Sequence, residues 1–541
     1  MDSRYEAAPL NIRTVSAGFY EGFNPIVSMS AKFLIALIVT LLLAWPDASA
    51  HALGELKQFT LTTFAGWYVY LMAAFVGFCL LIVVLPASGR IKLGRDESIP
   101  DHSTKDWLCM MFCAGIGVGI LVFSVSEPIS HFATNPDILE GRVVAGSAEG
   151  VASSMRFVFL HWGLSAWGCY AIIGMALGLA CHRHGQPMTI RSALAPIFGQ
   201  RLEGPLGHLI DTTAILAIIA GITTTIVLGL EQICSGLSAL TGSPFFADHA
   251  GDPPLTALLT ALVVAISVAI ASIVSGVDRG VKWVSQIGIL LAFGVLVVFV
   301  LYGTGARVFS IFVDGTLRYL ATLPAQITTL YTPNGFGEVV GQRDWQGQWT
   351  IFYWAWWIAF APFVGLFLAR ISRGRTLREF ILGAMLGPTA MCFIWFSATG
   401  GTALLFELNG VAEGRITNAA HANRIYETVD LMLSPGPAML IKAALALLFL
   451  ILIIASSTAA IIAIKSIGAA GSAHAETPLH SMTWAVVIAA ITGAVMSVNG
   501  VASIRDVMIV GAVPFSVIMA LMALSVARML FWNTVPPLLE R

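Results

Sequence analysis

Long apolar runs separated by short polar segments dominate the chain. A helix that crosses a bilayer needs about 20 mostly apolar residues. The predicted spans are residues 29–46, 66–86, 107–126, 156–181, 208–240, 255–275, 284–303, 350–369, 380–405, 438–465, 482–497 and 508–532. This pattern predicts an all-α polytopic membrane protein with twelve transmembrane helices.

Basic residues are concentrated in the loops that follow the even-numbered spans. Because cytoplasmic loops are enriched in Lys and Arg, both termini are predicted to face the cytoplasm of a cell whose inner membrane holds the protein. The predicted organisation is a cytoplasmic segment at 1–28, one transmembrane domain at 29–533 and a short cytoplasmic tail at 534–541. The segment 305–327 predicts a helix at the outer surface with one apolar side. That side contains Phe309, Phe312, Leu320 and Leu323.

Composition excludes several classes of protein. Of the 541 residues, 57% are apolar and 11% are charged, whereas soluble domains carry roughly a quarter charged residues. A formal net charge of -1 offers no electrostatic attraction for nucleic acid. The seven cysteines form no CxxC pair, so neither a disulfide framework nor a structural zinc site is indicated. No grouping of nucleophile, base and metal ligands indicates an enzyme, and His161 is predicted to pack between helices.

Two predicted spans contain residues that interrupt helices. The third span has Gly115, Gly117 and Gly119 at alternate positions, and each glycine costs about 1 kcal/mol relative to alanine in a helix. These glycines predict an unwound segment, with close helix packing as the alternative. Pro362 predicts a second interruption in the eighth span. Interruptions five spans apart indicate two inverted five-helix repeats, spans 3–7 and 8–12, preceded by two additional spans.

Aromatic residues cluster in the fourth and eighth spans. Trp162, Trp167 and Tyr170 share one broad face of a continuous helix that turns about 100° per residue. The second cluster, directly before Pro362, contains Trp354, Trp356, Trp357 and Phe360. Aromatic faces attract quaternary ammonium groups through cation–π interactions. The two clusters therefore predict a cage for an onium head group, with ordinary core packing as the alternative.

Several motifs occur together in a way that is typical of one transporter family. They are Arg90–Gly94, the glycine run at 114–119 followed by Ser126-Glu127-Pro128, His161-Trp162-Gly163, the stretch 275–283, and Phe352–Trp357 continuing to Arg370–Arg375. With these motifs the chain resembles the betaine/carnitine/choline transporters from about residue 20 to 533. The resemblance implies a leucine-transporter-type core, alternating access and, commonly, a homotrimer.

The resemblance also implies which residues bind the substrate. The implied cage consists of Trp162, Trp167, Tyr170 and Trp357, with Trp356 beside it toward the exit path, and with Gly115, Ile116, Gly117 and Gly119 in contact with the substrate. Phe360 stands where many betaine carriers have a further tryptophan. Gly119 stands where choline carriers of the family tend to have an aspartate, and a cation needs such a carboxylate in a low-dielectric site. A zwitterion is therefore favoured over choline.

The coupling ion is left open between sodium and protons. In the resembling family a Thr-Ser pair followed by Ala-Asp supplies sodium ligands, and here the stretch reads Ala-Ser-Ser-Thr-Ala. The sodium hypothesis uses Ser456 or Ser457 together with carbonyl groups near Ala114 and Ile116. The proton hypothesis uses Glu231, an unpaired carboxylate in the fifth span, whose alternative role is structural.

These features predict a secondary active transporter rather than an enzyme, and no cofactor beyond a coupling sodium ion. The predicted substrate is a small zwitterionic quaternary ammonium or sulfonium compound of the glycine betaine, carnitine or dimethylsulfoniopropionate type. The protein would import it by alternating access, coupled to sodium. The alternatives are a proton-coupled or exchange transporter of a related methylated amine such as choline, and a non-transporting solute receptor on the same fold.

Overall fold

The chain is almost entirely helical. The computed structural model describes residues 8–114, 117–248, 250–274, 277–331, 341–472, 478–500 and 502–531. In this part of the chain the β-structure amounts to two isolated bridges. Eleven of the described helical stretches are long and apolar enough to cross a membrane, by length and composition. The all-α polytopic architecture is therefore confirmed, and the predicted third span is absent from these eleven because it is divided into two shorter helices.

The helices follow the predicted spans closely and add short connecting elements. The first half of the chain contains α1 (Pro25–Ala44), α2 (Pro46–Thr63), α3 (Ala65–Val84), α4 (Pro86–Gly89), α5 (Thr104–Ala114), α6 (Val118–Ala133), α7 (Pro136–Leu139), α8 (Ala148–Trp162), α9 (Leu164–Leu177), α10 (Ala195–Phe198) and α11 (Pro205–Thr241). The second half contains α12 (Leu255–Val274), α13 (Val277–Val298), α14 (Arg307–Gln326), α15 (Gln342–Gln346), α16 (Phe352–Ile371), α17 (Leu377–Leu408), α18 (Arg415–Asn418), α19 (Arg424–Met432), α20 (Pro435–Gly468), α21 (Pro478–Asn499) and α22 (Ala502–Phe531). Three π-helical segments lie at Gly178–Arg183, Phe299–Thr304 and Gly347–Ile351, and two 3-10 segments lie at Ile190–Leu194 and Gly199–Glu203.

The third span is interrupted, as its glycines predict. Helix α5 ends at Ala114 and α6 begins at Val118. Between them Gly117 has extended dihedral angles, φ −135° and ψ 174°. Gly115 and Ile116 lie outside the described residues. The interruption at Gly117 divides this span into two shorter helices.

The predicted interruption of the eighth span at Pro362 is wrong. Helix α16 continues through this proline from Phe352 to Ile371. A proline removes only one backbone donor, and a helix packed among other helices tolerates this loss. The irregular part of this span is instead the π-helical turn Gly347–Ile351, which leads directly into α16. The matched pair of interruptions that indicated inverted repeats is therefore not present.

The fourth span contains an interruption that the hydrophobic pattern did not reveal. Helix α8 ends at Trp162, Gly163 has φ −91° and ψ −143°, and α9 begins at Leu164. The amide of Leu164, which the break leaves without an intrahelical acceptor, donates a hydrogen bond of 2.9 Å to the hydroxyl of Tyr319. The estimate that placed Trp162 and Trp167 on one face assumed a continuous helix, so it does not apply.

Tyr319 belongs to α14, and the helix predicted at 305–327 is confirmed over Arg307–Gln326, while its place at the outer surface stays a prediction. Its apolar side differs from the prediction. Phe309 is 72% exposed and Leu320 is 51% exposed, whereas Tyr319 and Leu323 are buried against the bundle. The packed side is therefore set by the contact with the fourth span, and a sequence pattern contains no information about that contact.

The centre of the bundle is formed by α6, α9, α11, α16 and α17. Every residue of α9 is buried, whereas α1 and the helices near residues 255–303 expose many apolar side chains at their outer faces. A helix that is apolar all round and buried belongs to the interior of the bundle. The interrupted third span, the fourth span and the eighth span thus meet in the middle of the protein.

Candidate functional site

Aromatic rings from α8, α9 and α16 converge beside the start of α6. The ring centroids of Trp162 and Trp357 lie 5.0 Å apart, with the ring planes at 77°. Tyr170 lies 6.1 Å from Trp357, and Trp167 lies 5.5 Å from Tyr170. All four side chains are less than a tenth exposed. Trp357 therefore joins the rings on either side of the Gly163 break.

Trp356 extends this cluster along α16. It stacks on Trp357 with centroids 5.5 Å apart and planes within 6°. Phe360 lies one turn further, 6.3 Å from Trp356 and nearly perpendicular to it. The ring of Phe360 also packs on Gly221 of α11, where an added Cβ would lie 2.7 Å from its Cδ2 atom. The six predicted aromatic residues thus form one continuous cluster.

Gly119 forms the wall of the cluster on the side of α6. A Cβ atom at this position would lie 2.6 Å from Cη2 of Trp356 and 3.1 Å from Cη2 of Trp162. The bare backbone is therefore in direct contact with two indoles. Gly117 lies at the interruption and has open space around it, since a Cβ there would meet nothing within 4 Å. Gly115 and Ile116, the other two predicted contacts, lie outside the described residues, so substrate contact stays a prediction for the set.

A buried carboxylate lies directly behind this cluster. Glu127 of α6 has no exposed surface. Its Oε2 atom accepts hydrogen bonds from Nε1 of Trp162 at 2.8 Å and from the hydroxyl of Tyr353 at 2.5 Å. Its Oε1 atom lies 2.7 Å from Nδ1 of His161 and 3.2 Å from Nε2 of His131. One carboxylate thus holds four side chains from three helices.

The same network fixes the second ring of the central pair. The carbonyl oxygen of His161 accepts a hydrogen bond of 3.0 Å from Nε1 of Trp357. The Nε2 atom of His161 lies 3.1 Å from the hydroxyl of Thr350. Glu127 binds Trp162 directly and Trp357 through His161, so both indoles are held by their N–H groups. His161 is therefore part of a polar network, beyond the packing role expected from the sequence.

One group of side chains in the described part of the chain has ligand atoms close enough together to hold a metal ion. It consists of Glu127, His131 and His161, whose ligand atoms lie within 4.8 Å of one another. The separations of 2.7 and 3.2 Å are those of hydrogen bonds. The two carboxylate oxygens already have four hydrogen-bonding neighbours, which is a full complement for this group. The arrangement therefore fits a hydrogen-bond network better than a metal centre.

Proline and arginine side chains position Glu127. Pro128 leaves the carbonyl of Ser124 without its helical donor, and the hydroxyl of Thr399 lies 3.3 Å from that oxygen. Arg424 of α19 donates to the carbonyl of Ser126 at 3.0 Å. Burial lowers the pKa of Arg424 to about 10, so this residue stays cationic at neutral pH. The helix carrying Glu127 is thus held on both sides of the proline.

From the sequence, Glu127 is recognisable only as part of a family motif, and its hydrogen-bond network was not predicted. A signal was available, because a carboxylate inside an apolar helix is costly and usually functional. What the sequence could not supply was the identity of its partners. His161 lies 34 positions away along the chain and Tyr353 lies 226 positions away. Only the packing of α6 against α8 and α16 brings these groups together.

The predicted sodium ligands lie partly within the described residues. The hydroxyls of Ser457 and Thr458 in α20 are buried and have no hydrogen-bond partner in the described part of the chain, and Ser456 is half-buried. Helix α20 passes the start of α6 where Ile453 and Val118 both pack on Gly229. Ser457 lies one helical turn beyond that contact.

The other two predicted ligands lie at the interruption of the third span. Ala114 is the last residue of α5, and Ile116 lies outside the described residues. The two hydroxyls lie about one helical turn from the place where α20 and the start of α6 meet, while sodium binding itself stays a prediction.

Glu231 occupies a different place from the aromatic cluster. It is half-buried in α11 and lines an open cavity of about 460 Å³ together with Asp252, Leu255 and Met496. Within the described ranges it makes no hydrogen bond or ion pair. This carboxylate is therefore a separate feature from Glu127.

Comparison with known proteins gives one family. The model of the betaine/carnitine/choline family of transporters matches residues 26–534. A glycine betaine transporter of Acinetobacter baylyi is 33% identical over 93% of this chain and 72% of its own length. A high-affinity choline transport protein of Escherichia coli is 33% identical over 91% of this chain and 70% of its own length. Among solved structures, a Na+-coupled sialic acid symporter covers 87% of both chains at 13% identity and a TM-score of 0.37, which is too distant to support an argument.

Proposed function

The chain belongs to the betaine/carnitine/choline family of transporters, and from this premise we propose that it imports a small zwitterionic onium compound by alternating access, coupled to sodium. Glycine betaine, carnitine and dimethylsulfoniopropionate are compounds of this type. Membership of the family makes the protein a membrane transporter, whereas the substrate, the ion and the direction of transport are the content of the proposal.

The aromatic cluster beside Gly119 carries the proposal. A trimethylammonium or dimethylsulfonium group cannot donate strong hydrogen bonds, so the faces of aromatic rings are the partners available to it. Each desolvated cation–π contact contributes about 2 kcal/mol. Trp162, Tyr170 and Trp357 are buried and in mutual contact, and they lie at the interruption where transporters of this architecture bind solutes.

Two features favour a zwitterion over a free cation. Gly119 contributes no carboxylate, and the indoles of Trp356 and Trp162 fill the space where a side chain would lie. The Nε1–H group of Trp356 is buried without a partner in the described part of the chain, so it is a donor that a substrate carboxylate could satisfy. A choline molecule offers no such carboxylate.

Sodium coupling is supported by the hydroxyls of Ser457 and Thr458, which are buried without a partner in the described residues and lie about one helical turn from where α20 and the start of α6 meet at Gly229. Sodium prefers oxygen ligands, and transporters with broken helices supply them as hydroxyls and freed carbonyls. The positions of basic loops favour cytoplasmic termini in an inner membrane. The family resemblance implies a homotrimer, which crosslinking in native membranes would test.

The experiment is uptake of radiolabelled glycine betaine, carnitine, dimethylsulfoniopropionate and choline into proteoliposomes. Sodium is replaced by potassium in one series, and the proton gradient is collapsed in another. The proposal expects sodium-dependent accumulation of a zwitterion that exceeds choline uptake. Trp162→Phe and Trp357→Phe should weaken uptake, whereas Trp45→Phe should not, because Trp45 is 60% exposed.

Proton coupling is the second candidate, and the place of the Glu231 carboxylate beside an open cavity favours it. Accumulation that persists in potassium, ends when the proton gradient is collapsed and is lost in Glu231→Gln would replace the sodium proposal. Choline uptake equal to betaine uptake would overturn the zwitterion preference. Binding of substrate without accumulation would indicate a receptor.

A further inference from the structure

We propose that Glu127 makes the cage selective for an onium charge, by supplying the negative charge that distinguishes an onium head group from an uncharged group of the same shape. Glu127 would act through the indole of Trp162 and would be a specificity-determining residue without touching the substrate. This inference rests on the proposed function, because it assumes that an onium compound binds beside Trp162.

The hydrogen bonds around Glu127 fit an ionised carboxylate. The indole Nε1–H of Trp162 can only donate, and it points at Oε2 over 2.8 Å. The hydroxyl of Tyr353 and one nitrogen of each imidazole complete four contacts to the two oxygens. When each imidazole carries its proton on the nitrogen that faces Glu127, an ionised carboxylate accepts all four hydrogen bonds.

Trp162 lies between this charge and the site. Its Nε1 atom faces Glu127, and its Cη2 atom, at the opposite end of the indole, is 3.1 Å from the position of a Cβ on Gly119. One indole therefore separates the carboxylate from the proposed position of the substrate. A hydrogen bond to an anion polarises the ring toward negative charge, and a more negative face binds a cation more strongly.

The direct electrostatic attraction between the Glu127 carboxylate and the onium head group also favours binding, as the polarised ring of Trp162 does. Glu127 is fully buried, so solvent and salt screen its charge far less than they would at the surface. Gly119 adds no charge of its own, so the charge of Glu127 reaches the head group only across the indole of Trp162 and does not replace a carboxylate in contact with the substrate. A neutral group of the same size would gain nothing from it.

Two arginines are the other charged groups close to Glu127. Arg505 of α22 lies over the rings of Trp349 and Phe352, with its guanidinium carbon 5.7 and 5.2 Å from their centroids. It interacts electrostatically with both Glu127 and Glu231. Arg505 also interacts with Asp506, and Arg424 donates to the carbonyl of Ser126 and to the hydroxyl of Ser130. Neither guanidinium donates a hydrogen bond to Glu127, whereas the indole of Trp162 does.

The test compares two ligands that differ only in charge at one atom. Glycine betaine and 3,3-dimethylbutanoate share a carboxylate and a head group of the same shape, but the second has carbon in place of nitrogen. Dissociation constants of both are measured by calorimetry on the full-length protein, for the unmodified chain and for Glu127→Gln. The matched control is Tyr353→Phe, which removes one donor to Glu127 and keeps the charge.

The unmodified protein should prefer betaine to the isostere. Glu127→Gln should weaken betaine binding on the order of tenfold and leave the dissociation constant of the isostere nearly unchanged. The ratio of the two dissociation constants should therefore fall. Tyr353→Phe should change both constants by the same factor and leave the preference intact. Equal weakening of both ligands by Glu127→Gln would reduce Glu127 to a structural role and overturn the inference.

Two further variants keep the test decisive. If Glu127→Gln does not fold, Trp162→Phe removes the N–H link while keeping an aromatic ring, and it should narrow the preference as well. Glu127→Asp retains the charge and should restore the preference for betaine. If Trp162→Phe leaves the ratio of the dissociation constants for betaine and the isostere unchanged, the inference is wrong. If the unmodified protein binds no onium compound at all, the proposed function fails.

Discussion

A methyl group added at Gly119 should weaken substrate binding by acting on the cage alone. In Gly119→Ala the new Cβ would lie 2.6 Å from Cη2 and 3.3 Å from Cζ2 of Trp356, and 3.1 Å from Cη2 of Trp162. Carbon atoms are most favourable about 3.5–4.0 Å apart, so Trp356 must move by about 1 Å to restore contact. The change carries no charge and removes no hydrogen bond.

The packing of Trp356 determines the size of the effect. This side chain is 3% exposed and stacks on Trp357, so it cannot move without displacing the ring that contacts Trp162. Overpacking of this kind costs about 1–3 kcal/mol. If the rings must return to their present positions to hold the substrate, this cost appears in binding as an affinity about 5- to 150-fold lower.

The assay is the concentration dependence of betaine uptake into proteoliposomes, together with the dissociation constant from tryptophan fluorescence. The control is Gly387→Ala, at a position in the middle of α17 where an added Cβ meets nothing within 4 Å. We expect the half-saturating concentration to rise in Gly119→Ala and to stay within about twofold in the control. A Gly119→Ala protein with unmodified affinity would show that the site does not lie against this wall.

Three further predictions concern stability and coupling. Tyr319→Phe leaves the amide of Leu164 unsatisfied in the core and should destabilise the protein by about 1–3 kcal/mol, seen as a lower melting temperature in detergent. Burial alone would raise the pKa of Asp137, but hydrogen bonds from Ser153 and Arg156 of α8 lower it. The ionised carboxylate therefore stabilises the fold above its unfolded pKa of about 3.9, and this stabilisation is lost as the pH falls through the lower folded pKa. Asp137→Asn should lower the free energy of unfolding at neutral pH and make it depend less on pH in the acidic range. Ser457→Ala should raise the half-saturating sodium concentration about fivefold, equivalent to about 1 kcal/mol.

Each of these variants has a matched control on an exposed group. Tyr302 is 63% exposed, so Tyr302→Phe should leave the melting temperature unchanged. Asp314→Asn removes half of an exposed ion pair and should leave the acid profile unchanged. Ser497→Ala lies on an exposed face of α21 and should not alter sodium dependence. The first prediction is wrong if Tyr319→Phe melts at the same temperature as the unmodified chain. The second is wrong if the stability of Asp137→Asn falls with decreasing pH as steeply as that of the unmodified chain. The third is wrong if Ser457→Ala keeps the half-saturating sodium concentration of the unmodified chain.

Local features of the chain were enough to predict much of this protein. The apolar runs gave the spans because a bilayer imposes a fixed length of apolar residues on each helix. The glycine run predicted the interruption at Gly117 because glycine lowers helix stability wherever it occurs. Tryptophan spacing and family motifs also selected the rings that the structure brings together.

Other features depended on neighbours distant in the sequence. Pro362 did not break α16, because the surrounding helices support that segment. Gly163 broke the fourth span, because Tyr319 from α14 offers an acceptor to the freed amide. Glu127 stood in a quoted motif, yet its four partners come from three helices, and none of them can be identified from spacing.

The sequence by itself determined which segments cross the membrane, where one of them breaks and which aromatic residues are available, since each of these follows from the properties of consecutive residues. Only the tertiary structure decided that Trp357 links Tyr170 to Trp162, that Gly119 contacts two indoles and that a buried carboxylate lies behind the aromatic cluster. Those relations are distances between helices. They arise from side-chain packing and from the need of buried polar groups to find hydrogen-bond partners, neither of which a one-dimensional pattern contains.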